Sequence, residues 1–176
     1  MKKLQSVLLA SVLTLGAFTA AIVSSCNPDQ CKDVVCANGG TCLDGTCSCP
    51  LGYVGTLCDT KANSFFPGNW SAKEKLNGAS TWGTPYTITV TADGTDPKAF
   101  YLVNYGNYSC TSGTYQVMAM TNDGRNYTIA NTVCSTSFTG SGSLATTGST
   151  STIDGTYSAT YGSPSTTDNV TIEMTK

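Results

Sequence analysis

The chain has 176 residues and a mass of 18.3 kDa. Charged residues are 11% of it, with 9 Lys+Arg against 11 Asp+Glu, a formal charge of -2 and no histidine. This excludes a basic nucleic-acid binder, which needs positive surface to displace counterions, a charge-rich disordered chain, and any mechanism built on a histidine base or ligand. Nine cysteines point to an oxidising compartment.

Lys2 and Lys3 open the chain, and no charge follows from Leu4 to Ser25. An apolar run placed directly after two initial lysines reads as an export signal rather than a spanning helix. Small residues then precede a cysteine in Val23-Ser24-Ser25-Cys26, and this ending resembles the lipobox of bacterial lipoproteins. The resemblance implies a signal peptide over 1–25, cleavage before Cys26, and lipid on the Cys26 sulfur and amino group. Membrane lipid is then a partner through Cys26, and the expected location is the outer membrane or cell surface. The alternative is an ordinary signal peptide cut elsewhere, with Cys26 in a disulfide. Loss of Lys2 and Lys3 leaves 7 basic against 11 acidic residues, a formal charge of about -4, so lipid rather than a polybasic patch must hold the body to a membrane.

After a spacer at 26–30, six cysteines follow at Cys31, Cys36, Cys42, Cys47, Cys49 and Cys58. A segment this short cannot bury a sizeable core, so covalent staples replace one. Paired zinc knuckles are missing, and the spacing alone leaves the disulfide pairing open. Asn38-Gly39-Gly40-Thr41-Cys42, Cys47-Ser48-Cys49 and the glycine–aromatic–glycine loop from Cys49 to Cys58 are similar to an epidermal-growth-factor-like (EGF-like) domain over 31–59. The resemblance implies the pairs Cys31–Cys42, Cys36–Cys47 and Cys49–Cys58. Asn27, Asp29 and Gln30 resemble the start of that family's calcium signature and offer hard oxygen ligands, but the acidic–aromatic pair between the third and fifth cysteines is missing. No metal or other cofactor is expected, and these three residues are weak calcium candidates.

Residues 60–67 read as a linker, but Phe65 and Phe66 are too apolar for a free one and are expected to pack at the domain junction or to start the next fold. From 68 to 176 the pattern is period two with polar breaks. Strands are expected over 68–76, 86–91, 98–105, 115–120, 126–133, about 137–145, 152–161 and 169–175. Turns are signalled at 92–97 and 122–124. Fifteen of the eighteen residues in 135–152 are Ser, Thr or Gly, a composition that invites a disordered assignment. The spaced apolar points Phe138, Leu144 and Ile153 and the strand propensity of threonine favour a hairpin instead. The fold class is therefore mainly β, a disulfide-rich module followed by an antiparallel eight-stranded meander barrel, with a β-sandwich as the alternative. Gly68-Asn69-Trp70 at the first strand resembles the start of a lipocalin-like barrel, and the strand count resembles the small lipocalin-like domains of Bacteroidota surface lipoproteins. Cys110 and Cys134 remain for a fourth disulfide, with two inert or functional thiols as the alternative.

Chemistry is sparse. Most aspartates after residue 60 lie in turn sequences, where the side chain caps backbone groups. Glu74 and Glu173 fall on the first and last strands of the expected barrel, which would be neighbours. Lys73 and Lys75 flank Glu74 and give it the look of a solvated strand face. No phosphate loop, nucleophile elbow or catalytic residue is found. The nine tyrosines with Trp70 and Trp82 offer a pocket lining or a sugar-binding face. The alternative is that Trp70 and most strand tyrosines fill the barrel or cap its ends, while Trp82, in the polar stretch 78–85, is the foremost exposed ligand contact. The sequence reads as a non-enzymatic, membrane-anchored surface lipoprotein that binds or adheres, with glycan or protein at the cell surface as partner. The alternatives are a carrier of a small apolar ligand in a barrel cavity, and a glycan-binding or glycan-hydrolysing protein.

Overall fold

The computed structural model describes residues 30–108, 110 and 115–176. The N-terminal EGF-like region holds two small antiparallel ladders. β1 (Thr41–Leu43) pairs with β2 (Thr46–Ser48), and β3 (Tyr53–Val54) with β4 (Thr60–Lys61). Asp44 and Gly45, both at positive φ, form the two-residue turn that joins β1 to β2, as a tight hairpin requires. Disulfides join Cys31 to Cys42, Cys36 to Cys47 and Cys49 to Cys58. They stand where a core would be: Val35, Leu43, Leu51 and Leu57 are all exposed, and Cys58 is buried.

Eight strands form a closed antiparallel barrel: β5 (Gly68–Leu76), β6 (Tyr86–Ala92), β7 (Ala99–Val103), β8 (Gln116–Thr121), β9 (Asn126–Val133), β10 (Thr136–Thr147), β11 (Thr150–Tyr161) and β12 (Thr166–Thr175). Each pairs with the next in sequence, and β12 closes on β5 through pairs such as Met174 with Ala72. Closure removes the sheet edges that a sandwich would keep. Alternation puts Trp70 and Ala72 of β5, Ile88 and Val90 of β6, and Ile172 and Met174 of β12 inside, all buried.

The Ser/Thr/Gly-rich stretch is strand because its few apolar residues keep that period. Phe138 and Leu144 on β10 and Ile153 on β11 are buried, while the hydroxyls between them face out. Interior glycines make room for aromatic rings. A Cβ at Gly142 would lie 2.5 Å from the Tyr127 hydroxyl, and one at Gly140 would lie 2.6 Å from Tyr157 Cβ. β10 and β11 run longer than the pattern predicts and meet in a two-residue turn at Gly148-Ser149.

β5 leads away from the EGF-like region, so an up-and-down topology fixes the two barrel ends. The connections 92–99, 121–126 and 147–150 lie at the near end. Those at 76–86, 103–116, 133–136 and 161–166 lie at the far end. The near end is docked to the EGF-like region. Asn63 is buried, its backbone N–H donates to Pro97 O (2.9 Å), and its Nδ2 lies 3.0, 2.8 and 2.8 Å from the carbonyl oxygens of Asp93, Asp96 and Ala99. Gly52 N–H donates to Asn122 O (3.2 Å) and Lys61 Nζ to Gly94 O (2.8 Å). Residues 60–67 are held between the two parts. β4 and a 3-10 turn over Ala62–Phe65 tie them to both parts, and Phe66 is fully buried in the barrel.

Trp70 takes the barrel-filling place rather than a ligand-contacting one: it is a fully buried core side chain at the near end, and its Nε1–H donates to Phe66 O (2.9 Å). Phe66 stacks on Phe100 with centroids 4.3 Å apart, and Tyr127 meets both rings edge-on. Lys176 lies 4.4 Å from the Trp70 ring centroid and donates to Pro67 O (2.7 Å), which covers that end.

Candidate functional site: the far mouth of the barrel

Counting by twos along β5 from Trp70 passes Ala72 and reaches Glu74. The carboxylate therefore points inward, and the sequence expectation of a solvated face is wrong. Lys73 and Lys75 take the outer positions. Two tyrosine hydroxyls donate to the same carboxylate oxygen, Oε1: Tyr86 from β6 and Tyr157 from β11, at 2.5 and 2.9 Å. Gly106 N–H donates to the Tyr86 hydroxyl (3.1 Å), so the 103–116 connection is tied to the same cluster. Only a glycine fits there. Its φ is +73°, and a Cβ would lie 2.6 Å from the Tyr108 ring and 2.9 Å from the Tyr157 hydroxyl.

A second acid sits at the rim. Asp168, near the start of β12, accepts from Tyr161 Oη (2.7 Å) and Asn77 Nδ2 (3.0 Å). Between the two carboxylates lies a cleft of about 410 Å³, bounded by Tyr86, Tyr108, Tyr157, Leu76, Thr84 and Asn107. Among the described residues no Lys or Arg lines it. Tyr105 is buried beneath, its ring 4.7 Å from that of Tyr157, and Phe138 packs against Tyr105, Tyr108, Tyr115 and Tyr157. A Cys110–Cys134 disulfide ties the 103–116 connection to the β9–β10 turn.

Burial raises the Glu74 pKa above the usual carboxylate range, and the two tyrosine hydrogen bonds offset only part of that. The Tyr86 and Tyr157 hydroxyls are held far above the ordinary phenol value, first by burial and then by the Glu74 charge. Burial and then Asp168 push Tyr108 up to about 12. The hydrogen bonds from Tyr161 and Asn77 lower the Asp168 pKa. The cluster thus has tyrosines fixed as donors and acids that differ in how readily they hold a charge.

The other candidates lie elsewhere. Trp82 is 37% exposed but packs on the outer wall, its ring centroid 4.9 and 4.6 Å from the Lys73 and Lys75 ammonium nitrogens. Glu173 is outside, in an ion pair with Lys73 (2.6 Å). Glu74 and Glu173 therefore face opposite sides of the wall and do not form a facing pair. Asp93 Oδ1 accepts from the N–H groups of Thr95 and Asp96, and Asp123 Oδ1 from those of Arg125 and Asn126, so both cap turns. Cys26, Asn27 and Asp29 lie outside the described residues, and Gln30 is exposed. Among the described residues no group of three or more His, Cys, Asp or Glu is placed to hold a metal ion, and no helix is long and apolar enough to cross a membrane.

Comparison with known proteins bears on the EGF-like region. The chain is 34% identical over 62 residues to Neural-cadherin of Drosophila melanogaster, covering 33% of this chain and 2% of that protein. It is 31% identical over 94 residues to Tissue-type plasminogen activator of Sus scrofa, covering 46% and 16%. It is 46% identical over 37 residues to a Neurogenic locus notch homolog protein of Giardia intestinalis, covering 19% and 6%. The chain thus spans a small part of each relative's length. No protein-family model matches it, and no solved structure does. Small disulfide-dense modules of the EGF-like kind belong to secreted and surface proteins.

Proposed function

We propose that the protein is a lipid-anchored, non-enzymatic surface binding protein whose far barrel mouth meets its ligand. The observation that carries this reading is polarity. The EGF-like region, which follows the candidate lipidation site Cys26, docks on one end of the barrel, and the acidic tyrosine cleft opens at the other. A chain tethered at Cys26 would hold its near end toward the membrane and its far mouth outward. Two acyl chains or more on Cys26 would make the anchor firm, at about 0.8 kcal/mol per buried CH2. Glu74 and Glu173 face opposite sides of the wall, which removes that pair as a hydrolytic acid and base. The interior is filled by Phe66, Trp70, Phe100, Leu102 and Phe138, which speaks against storage of an apolar ligand along the barrel axis.

Two measurements test this. Intact mass and N-terminal peptide mapping of membrane-extracted protein should find lipid on Cys26, and Cys26→Ser should move the protein to the soluble fraction. A membrane-impermeant maleimide should label Ser80→Cys, in the far 76–86 connection, on whole cells. Soluble wild-type protein with an unmodified Cys26, or a Ser80→Cys variant that labels only after lysis, overturns the reading.

A further inference from the structure

The far cleft has an unbalanced charge. Glu74 and Asp168 both line it, and among the described residues no Lys or Arg does. The nearest basic side chains on β5, Lys73 and Lys75, are turned outward onto Trp82 and Glu173. Burial of a carboxylate without a cation is costly, and hydrogen bonds repay only part of that cost. Here both tyrosine donors converge on Oε1 of Glu74, so Oε2 takes neither. The walls are aromatic, but they make no flat platform. The Tyr105 and Tyr157 rings are tilted by 46°, those of Tyr108 and Tyr161 by 59°, and those of Tyr108 and Phe138 by 76°. A sugar ring stacks on a plane, whereas a compact cation is served by rings at several angles with carboxylates behind them.

From this arrangement we propose that the cleft binds a small organic cation carrying an ammonium group, held between the Glu74 and Asp168 carboxylates and the faces of Tyr86, Tyr108 and Tyr157. This deepens the reading of the far mouth as the binding end and rests on it. Seating a cation beside Glu74 favours its charged form, so binding weakens as the pH falls and the acid takes up a proton.

The experiment is calorimetric and NMR titration of the full-length protein in detergent with three probes: tetramethylammonium, its uncharged near-isostere neopentyl alcohol, and glucose. Tetramethylammonium should bind saturably and shift the Tyr108 and Tyr157 resonances. Glu74→Gln should weaken it about tenfold or more, equivalent to about 1.4 kcal/mol. Asp168→Asn, at the more exposed rim, should weaken it less and serves if Glu74→Gln does not fold. Equal binding of neopentyl alcohol, binding of glucose in the cleft instead, no binding of tetramethylammonium, or indifference to both substitutions overturns the proposal. A neutral probe in the cleft would leave the far mouth as the binding end and remove only the cationic ligand. The maleimide measurement judges that orientation separately.

Discussion

The two ends of the barrel are built from similar residues to opposite effect. At the near end, aromatic rings stack on one another, Trp70 bonds to a backbone carbonyl, and Lys176 covers the indole. At the far end, aromatic rings gather around an inward carboxylate and leave a cleft. Both ends have an inward polar group supplied with hydrogen bonds, the buried Asn63 below and the half-buried Glu74 above. The difference lies in what their partners are. Asn63 is bonded to the backbone of a loop, and such contacts fix one geometry. Glu74 is bonded to side-chain hydroxyls, one of which also accepts from the backbone at Gly106. A backbone-filled end serves as a joint, and a charged end lined with side chains can exchange a partner.

Removal of the near-end indole should have the largest effect. Trp70→Ala is expected to cost about 3–5 kcal/mol in chemical unfolding, because it empties a fully buried site and leaves Phe66 O without its donor. A loss as small as that of a surface substitution would mean that the near end is not the core of the barrel. The far-end staple ranks next. Replacing Cys110 and Cys134 together by alanine should cost about 3 kcal/mol from the closed loop, whose ends are 24 residues apart. Hydrogen exchange should then rise first in the 103–116 connection and not at the near end. At the joint, Asn63→Ala leaves loop carbonyls without their donor and should cost about 1–3 kcal/mol. Protease cutting near residues 60–67 should become faster while the three EGF-like disulfides stay intact.

The finest test is of pH. Burial raises the folded pKa of Glu74 above its unfolded value near 4.5. The folded state therefore holds the Glu74 proton more tightly, and this favours folding below the unfolded pKa. The contribution is lost as the pH rises through the raised folded value. Glu74→Gln should remove that dependence, so the variant should gain stability relative to wild type over this rise and match it most closely in acid. Unfolding midpoints across pH 4–8 measure the difference. Parallel wild-type and variant curves would mean that Glu74 titrates as an exposed acid.

Much of the architecture was legible from period and spacing. The stretch 126–133 reads as a strand from its alternating residues, and β9 has those limits. The 135–152 stretch was harder, because serine, threonine and glycine favour no packed core by themselves. Phe138, Leu144 and Ile153 supplied enough inward residues to set the register. The far site was less visible. The lysines beside Glu74 signalled a wet face, although the same alternation that buries Trp70 also carries position 74 inward. Trp82 reads from the sequence as an exposed contact because it stands in a polar stretch, and two lysines of the preceding strand lie over its ring against the wall.

What the sequence by itself determined is the local chemistry: a cysteine-rich module of EGF-like kind, eight alternating strands, and turns capped by aspartate. These follow from steric and solvation preferences that act over a few residues. Tertiary structure alone decided that the strands form the closed barrel and not the sandwich, that Asn63 reaches carbonyls more than thirty positions away, and that Tyr86, Tyr157 and Glu74 meet at one end. Such meetings depend on barrel closure and on burial summed over the whole chain, and no local pattern encodes which distant hydroxyl a carboxylate will find.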